Sequence, residues 1–594
     1  MKRLKEFLGR LNSKDGFWAA VVFIIALAVY LPTLTMEEPI SDDLFYFLNA
    51  QSAQKDFRQL FSPVLGLVTP VTSLSFLLDF LLWGEKHFVT GAHVVNILLH
   101  AFSMLLFFLL LRRISWKGAF LSPAWAGMTV LIFTLHPQRV ESVAWIAERK
   151  DCLSMCLGLG ALLLFQRALR KGKMSWGSAG LLGLSLLAKP MWIFFFLPAG
   201  TLILIEKRRF EWKSFFKLLL PSFCVFLLFI LWQLPIVAQS ASNAMTAGEV
   251  SLPFKLEMIC FNYGLYFIKT FLPGNLYPVY PYYDPAYEFR WLALIPFVLL
   301  LTPLLGRYEY CRDAVLFAIV PVLACFAVTM VPVVGFSRVG NTDFADRYSY
   351  LPSLYLVTMT AFLLRFNLPR ETPLSRWLPI LGILYCGGLL KQSLDYLPVW
   401  RTNQQMVARS MHHPKPNPHI AMGCAALAVL DGNYEKALTV CRDRLPDSPR
   451  YSDDFKRCIL VFKLSVQGLI LFRTGRPEEG IRCLNTIYMS PWSGMVRNFP
   501  VDFAQKVFTT GAEYHLKRYN DRKAAADLYK RCSVFLEFYG PVYKEFYAGM
   551  AALMEDNYPE AVRRFRRAQE LNPMKGRCLQ NLNYALGKLK EKTP

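Results

Sequence analysis

Two adjacent carboxylates, Asp42 and Asp43, follow the first long apolar run of the chain. Ionisable side chains beside a membrane are costly to hold, so an unexplained pair there predicts a functional role. A carboxylate in such a position can act as a general base and take the proton from an attacking hydroxyl group. One of the two would be the base and the other would orient it, and the sequence does not distinguish them. The alternative is a helix cap, because aspartate side chains accept hydrogen bonds from the first N–H groups of a helix.

Basic residues in other segments add a second chemical element. Arg149 and Lys150 belong to a long polar segment, Lys189 separates two apolar runs, and Arg347 belongs to another polar segment. Cations concentrate on the cytoplasmic face of membrane proteins, so basic residues on the outer face are unusual. Held at the level of the lipid headgroups, they would bind a phosphate and offset the charge that develops on it as a bond breaks. The pattern predicts a transferase whose donor is a membrane lipid with a phosphate leaving group.

Further polar residues of these segments are candidate site residues: His136, Arg139, Glu141, Glu148 and Asp346. Structural alternatives exist for several of them. Arg139 would pair with Glu141 on a helix surface, and His136 would cap the end of its crossing helix. Lys189 would reach the interface along its aliphatic stem. Trp145 fits an interfacial aromatic belt as well as a platform for a sugar.

The cysteines and histidines predict neither disulfides nor a metal site. The 13 cysteines are scattered, without a C-x-x-C pair and without a histidine close enough for a metal box. The sequence also lacks a glycine-rich phosphate loop and a Ser-His-Asp order. The sequence does not decide whether the protein requires a divalent metal.

The composition places these residues in a polytopic helical membrane protein. Of 594 residues, 54% are hydrophobic and 15% aromatic, and the apolar residues come in runs of about one bilayer crossing each. The formal net charge is +23. Through residue 400 the basic residues cluster at alternate ends of the apolar runs, as cytoplasmic loops do, so a membrane explains the charge better than nucleic acid.

The basic loops predict about eleven crossings, with the N-terminus in the cytoplasm. The first apolar run, 17–34, follows basic residues and lacks a cleavage pattern, so a retained helix is predicted rather than a signal peptide. Residues 41–58 predict a short amphipathic helix along the outer surface. The polar segments and Lys189 all emerge on that side. Residues 254–272 are too polar to face lipid and are predicted to stay outside; a crossing there would move the C-terminal region to the other side.

From about residue 401 the sequence becomes typical of a soluble helical domain. One set of residues matches the helix-pair pattern of a tetratricopeptide repeat: Gly549, Ala561, Phe565, Ala568 and Pro573. Weaker repeats precede it around 432–449, 468–480 and 525–529. Stacked helix pairs build a concave surface for peptides. This region holds 31 Lys and Arg against 19 Asp and Glu, a balance that suits an acidic partner or lipid headgroups. The alternative is an unrelated helical bundle.

Three motifs stand in order along the chain: Ser41-Asp42-Asp43, His136-Pro137-x-Arg139-Val140-Glu141-Ser142-Val143-Ala144-Trp145-x-x-Glu148-Arg149-Lys150-Asp151, and Ala345-Asp346-Arg347-Tyr348-x-Tyr350-Leu351-Pro352. Followed by repeats, they resemble the transmembrane-and-tetratricopeptide-repeat glycosyltransferases, as bacterial relatives of the eukaryotic O-mannosyltransferases of that architecture. The resemblance implies a GT-C membrane fold and a polyprenyl-phosphate-linked monosaccharide as the sugar donor. It also implies that Asp42 and Asp43 match the acidic pair proposed as catalytic.

The resulting prediction is an all-α protein with two domains. Residues 1–400 would form a GT-C-type transmembrane domain, and residues 401–594 an α-solenoid of tetratricopeptide repeats on the periplasmic side of a bacterial inner membrane. The enzyme would move a monosaccharide from the polyprenyl phosphate to a hydroxyl group, with inversion of the anomeric configuration. The acceptor would be a protein or glycan recruited by the repeats, and Ser or Thr of a protein is the favoured acceptor. The alternatives are an oligosaccharide ligase or polymerase of a surface glycan, and a non-enzymatic membrane scaffold that presents the repeats.

Overall fold

The computed structural model describes most of the chain. It covers residues 14–36, 40, 42–64, 68–116, 119–207, 212–242, 251–282, 290–300, 319–336, 342–367, 373–445, 453–488, 501–537, 540–571 and 575–592. Ser41 of the first motif, Pro573 of the repeat pattern and the end of the weak repeat at 432–449 lie outside these residues. Within them, one compact unit runs to His412 and a second starts at His413. The functions assigned to residues 1–400 and 401–594 stay predictions.

Among its described residues, the first unit consists of helices and one two-stranded antiparallel hairpin, Ser115–Trp116 with Ala119–Phe120. Its helices are α1 Lys14–Tyr30, α2 Asp43–Lys55, α3 Pro70–Arg113, α4 Pro123–Thr134, α5 Arg139–Ala144, α6 Arg149–Lys171, α7 Trp176–Ala188, α8 Phe196–Lys207, α9 Trp212–Ser242, α10 Leu252–Phe271, α11 Ile295–Leu300, α12 Val320–Met330, α13 Pro352–Asn367, α14 Pro373–Tyr396 and α15 Asn403–Met411. The all-α class is confirmed for the described residues.

Four helical segments among the described residues are long and apolar enough to cross a membrane: Lys14–Thr35, Pro70–Arg113, Ile146–Lys171 and Phe215–Pro235. Other apolar helices, such as α4, α7 and α12, are shorter. The predicted count of eleven crossings is not confirmed and stays a prediction. Helix α10 is continuous over the ambiguous residues 254–272 and is not one of the four segments.

Helix α3 changes direction at Gly84, whose φ of 67° and ψ of 178° interrupt the helical backbone. A positive φ is cheap only for glycine, so this residue permits the break. The break separates Pro70–Trp83 from the long apolar part that ends at Arg112 and Arg113, the predicted cytoplasmic end of a crossing. The first part packs on α2 through ring contacts of Phe47 with Phe80.

The polar segment predicted to emerge as an outer loop is folded into the protein. Every residue from Phe133 to Cys152 is buried, through helix α5, a 3-10 turn Ile146–Glu148 and the start of α6. Buried charges are found only where they are paired or hydrogen-bonded. The burial of this segment therefore depends on partners from other parts of the chain, and those partners form the site.

The second unit is a series of helices: α16 Pro418–Leu430, α17 Tyr434–Asp443, α18 Asp453–Arg473, α19 Pro477–Tyr488, α20 Val501–Tyr519, α21 Arg522–Leu536, α22 Pro541–Met554, α23 Tyr558–Leu571 and α24 Lys575–Lys592. A tight turn with a positive φ joins each pair from α16–α17 to α22–α23, at Gly432, Gly475, Asn520 and Asp556. Gly549 packs on Phe565, as the repeat pattern requires. These recurring helix pairs suit a solenoid, and their assignment as tetratricopeptide repeats stays a prediction.

Candidate active site

Glu148 lies at the centre of the candidate site, at the end of the 3-10 turn before α6. Its carboxylate forms ion pairs with Lys150 at 3.2 Å, Lys189 at 3.0 Å and the Nε of Arg347 at 3.3 Å. These three cations come from α6, from the end of α7 and from the segment before α13. Because one carboxylate contacts all three, their charged ends lie close together.

The cations keep an exposed surface that the central carboxylate lacks. The side chains of Lys150, Lys189 and Arg347 are 10%, 16% and 15% exposed, whereas that of Glu148 is 3% exposed. An ammonium group has three N–H donors and a guanidinium has five, so contacts to a few carboxylate oxygens do not exhaust them. The arrangement presents converging positive groups, which is what binding of a phosphate requires.

Two more carboxylates hold the cations from inside the protein. Asp151 pairs with Lys189 at 2.5 Å and accepts a hydrogen bond from the Ser142 hydroxyl at 3.0 Å. Glu141 pairs with the Arg347 guanidinium and also accepts a bond from its backbone N–H at 2.9 Å. Glu141 therefore pairs with Arg347, and the predicted alternative of a surface pair with Arg139 is wrong. Lys189 pairs with Glu148 and Asp151 inside the protein, and whether it also reaches the membrane interface stays a prediction.

Asp43 fastens the first motif to the second. Its Oδ1 accepts a hydrogen bond from the backbone N–H of Ala147 at 2.7 Å, and its Oδ2 accepts one from Ile40 at 3.0 Å. The carboxyl group is buried, and burial raises its pKa to about 7, although both backbone donors and Lys150 lower it. With both oxygens engaged by the backbone, Asp43 is suited to orient the pair.

Asp42 is only half-buried and begins α2. Its side chain makes no hydrogen bond to the N–H groups of that helix, so the helix-cap alternative is not supported. Its neighbour on the helix, Tyr46, has its ring under the Lys150 ammonium at 5.6 Å. The more accessible carboxylate of the pair therefore lies on the helix that contacts the cation cluster. Which of Asp42 and Asp43 is the base stays a prediction.

Replacing Asp43 by Asn is expected to flatten the dependence of the melting temperature on pH between about 4 and 7. The folded-state pKa of about 7 exceeds the unfolded value of about 3.9. In this window the native state holds a proton that the unfolded chain has released, so stability falls as pH rises through it, by at most about 1.4 kcal/mol per pH unit. Asn removes that slope. Thermal unfolding at several pH values measures this slope. The control is Asp56→Asn, which changes an exposed aspartate at the other end of α2 and should keep the wild-type slope. Equal slopes in wild type, Asp43→Asn and Asp56→Asn would contradict the raised pKa of Asp43.

The sequence predicted that Arg149 binds the phosphate of the sugar donor, but in the structure its guanidinium contacts other groups. Its guanidinium pairs with Asp79 at 2.5 Å and donates to Asn96 and to the Ala92 carbonyl, both at 2.8 Å. It also stacks on the ring of Phe76. The side chain has no exposed surface. This placement is structural: Arg149 ties α6 to α3 and does not face the cation cluster.

The remaining predicted residues are buried around the cluster without joining it. Arg139 lies near the rings of Phe133 and Tyr350 and donates to the Ser349 hydroxyl at 2.5 Å. His136 accepts a bond from the backbone of Gln138 at 3.3 Å.

Asp346 links two segments. Its oxygens accept bonds from the Gln138 amide at 2.9 Å and the Tyr280 hydroxyl at 2.8 Å. It thereby fixes the segment that carries Arg347 against the second motif, which is a positioning role.

Sequence reasoning missed Asp151 as part of the cation cluster and Asp79 as the partner of Arg149. Asp151 follows Glu148 by three residues at the start of a helix, and this spacing places both on one face, so it could have been found. Asp79 lies far from Arg149 in the chain, without a local signal. Among the residues that the structure describes, no group of three or more His, Cys, Asp or Glu is placed to hold a metal ion.

Part of the chain is similar to proteins named as O-mannosyltransferases. It is 38% identical over 103 residues to "Protein O-mannosyl-transferase TMTC1" of Mus musculus, 17% of this chain and 10% of that protein. The Homo sapiens protein of that name is 37% identical over 103 residues, 11% of its length. "Protein O-mannosyl-transferase F38B6.6" of Caenorhabditis elegans is 33% identical over 95 residues, 13% of its length. The chain therefore aligns with about a tenth of these relatives. No family model and no solved structure matches it.

Proposed function

We propose that this protein is a membrane glycosyltransferase that moves a monosaccharide from a polyprenyl-phosphate donor to a hydroxyl of a protein, Ser or Thr, on the outer face of the membrane. The observation that carries the proposal is the convergence of Lys150, Lys189 and Arg347 on Glu148. The Asp42-Asp43 pair is linked to this cluster through the Asp43–Ala147 hydrogen bond and the contact of Tyr46 with Lys150. The names of the relatives support the sugar transfer to protein. The lipid donor and the outer face are inferred from the cations and from the basic loops.

The roles of the residues follow from the chemistry of inversion. The acceptor oxygen forms a bond to the anomeric carbon while the bond from that carbon to the phosphate oxygen breaks. Asp42 takes the proton of the acceptor hydroxyl. Polyprenyl phosphate leaves with the electron pair of the broken bond, and Lys150, Lys189 and Arg347 stabilise the negative charge that develops on it.

The carboxylates behind the cations have a separate function. Three cations held together repel one another, and Glu148, Asp151 and Glu141 offset that repulsion. Because these carboxylates are more deeply buried than the cations, the groups accessible to a ligand are the N–H donors of the cations. The second unit would recruit the acceptor through its repeated helix pairs.

Replacing Lys189 by Met is expected to weaken binding of polyprenyl phosphate by about ten- to a hundredfold, since a charge-assisted hydrogen bond is lost. Lys189→Arg keeps the charge and should lose less. Displacement of a fluorescent polyprenyl phosphate from the reconstituted full-length protein measures the affinity. The matched control is Lys171→Met. Lys171 is exposed and lies at the opposite end of α6 from Lys150. Unchanged affinity in Lys189→Met would remove this cluster as the phosphate site.

A further inference from the structure

Trp145 is enclosed between a second tryptophan and a cation of the site. Its ring stacks on Trp400 with centroids 5.6 Å apart and planes at 25°. The guanidinium carbon of Arg347 lies 5.3 Å from the centroid of the Trp145 ring. Tyr396 meets Trp400 edge-on at 6.3 Å. Residues from the second motif, the third motif and the end of α14 thus form one aromatic cluster, Trp145–Trp400–Tyr396, beside the cations.

The polar atoms of this cluster are buried and have no partner outside it. Among the described residues, the indole Nε1 of Trp145 has no hydrogen-bond partner, and the Nε1 of Trp400 and the Tyr396 hydroxyl have none beyond each other. All three side chains are more than nine-tenths buried. Buried polar groups are nearly always paired in proteins, so three of them that find no partner outside their own cluster require an explanation. The Nε1 of Trp192 is also without a partner, but it lies outside this cluster. The inference rests on several such polar groups lying together, and not on a single indole N–H.

The position of the cluster suggests its ligand. In a lipid-phosphate sugar the sugar ring is joined directly to the phosphate. The sugar ring must therefore lie within a bond or two of the phosphate site. Arg347, a ligand of that phosphate in the proposed function, covers one face of Trp145. Sugar hydroxyl oxygens accept hydrogen bonds from indole N–H groups and also donate to a phenol oxygen. Sugar hydroxyls placed there would supply hydrogen-bond partners that the protein does not give these atoms.

We propose that the Trp145–Trp400–Tyr396 cluster binds the hydroxyl groups of the transferred monosaccharide and so sets the choice of sugar. This inference rests on the proposed function, because it takes Arg347 as the neighbour of the donor phosphate. Trp400 stacks on the Trp145 ring and Arg347 lies over it, so the N–H edge of Trp145 is the part assigned to the sugar. The contribution is hydrogen bonding, which is sensitive to the position of each hydroxyl.

The test uses full-length protein in lipid vesicles with polyprenyl-phosphate mannose and its 2-, 3-, 4- and 6-deoxy analogues. Trp145→Phe and Trp400→Phe keep aromatic packing and remove one N–H each. Wild type should transfer at least one deoxy sugar about five- to twentyfold less efficiently, in kcat/KM, than mannose. Each variant should lose the penalty at the position its N–H contacts, and should transfer mannose itself less well by a similar factor. Polyprenyl phosphate without sugar should inhibit wild type and variants equally.

The controls separate the possible failures. Trp192→Phe removes an unpaired indole N–H elsewhere in the first unit and should preserve the wild-type pattern. Tyr396→Phe provides a second, smaller change if a tryptophan variant does not fold. If the variants penalise every deoxy sugar as wild type does, the cluster does not bind the sugar, although transfer by wild type still supports the proposed function. The deoxy series is built on whichever polyprenyl-phosphate monosaccharide wild type transfers, with mannose tried first because the relatives are named for it; if wild type transfers none, the proposed function and this inference both fail.

Discussion

Replacing Asp42 by Asn is expected to lower the transfer rate by about a hundred- to ten-thousandfold and to leave the melting temperature unchanged. Asparagine has nearly the shape of aspartate but cannot take the proton of the acceptor hydroxyl. Asp42 is half-buried and makes no cap hydrogen bond to its helix, and asparagine keeps one acceptor oxygen in place. Initial rates of sugar transfer and thermal unfolding of the same preparations measure the two effects.

Two other aspartates of the same helix region make the comparison specific. Asp43→Asn alters a buried carboxyl group that accepts two backbone hydrogen bonds, so it should change stability as well as activity. Asp56→Asn changes an exposed aspartate whose cap to Arg58 asparagine can also make, and should leave both unchanged. Full transfer activity in Asp42→Asn would show that Asp42 is not the base.

The second large effect is expected for Arg347→Met, which should reduce both stability and transfer. Arg347 pairs with Glu141 and Glu148, and Glu141 is fully buried. Breaking a buried pair by removing one partner costs about 3–5 kcal/mol, because an uncompensated charge is left. Transfer should fall by about a hundredfold or more, since the phosphate loses a charge-assisted donor in the transition state.

The stability loss in Arg347→Met should grow with pH. Burial already raises the pKa of Glu141 to about 7, and Arg347 lowers it, so removing the arginine raises it further. Above the unfolded value of about 4.3, the native state then binds a proton that the unfolded chain has released, and stability falls as pH rises towards the folded-state pKa. The melting temperature of the variant, relative to wild type, should be lower at pH 8 than at pH 6.

A double variant separates the two roles of Arg347. Arg347→Met with Glu141→Gln leaves no buried charge at that position, so the melting temperature should recover most of the loss at pH 8. Transfer should not recover, because the phosphate still lacks its guanidinium donor. Recovery of transfer together with stability would show that Arg347 acts only as a structural partner of Glu141.

The sequence predicted the composition of the site better than its geometry. The motifs that carry Asp42, Glu148 and Arg347 are local and could be recognised, and the structure brings them together through Asp43–Ala147 and Glu141–Arg347 contacts. Their polarity, however, predicted an exposed loop for residues 136–151, which are buried. Charge in a segment indicates that it needs partners, and whether those are water or distant side chains depends on the tertiary structure.

Arg149 illustrates what could not be predicted. It stands next to Lys150 in the chain, and both were expected to face a phosphate. Adjacent residues of a helix point in directions about 100° apart, so the two cations diverge: Lys150 contacts Glu148 and Arg149 contacts Asp79 on α3. The break of that helix at Gly84 helps to define where Asp79 lies, and no pattern near Arg149 encodes it.

The most direct test of the account is sugar transfer by the purified full-length protein in vesicles, from labelled polyprenyl-phosphate mannose to a Ser/Thr-containing peptide. The account predicts that wild type places the label on a peptide hydroxyl with an inverted anomeric configuration, and that Asp42→Asn, folded and able to bind polyprenyl phosphate, does not. Equal transfer by wild type and Asp42→Asn, or retention of the anomeric configuration, would contradict it.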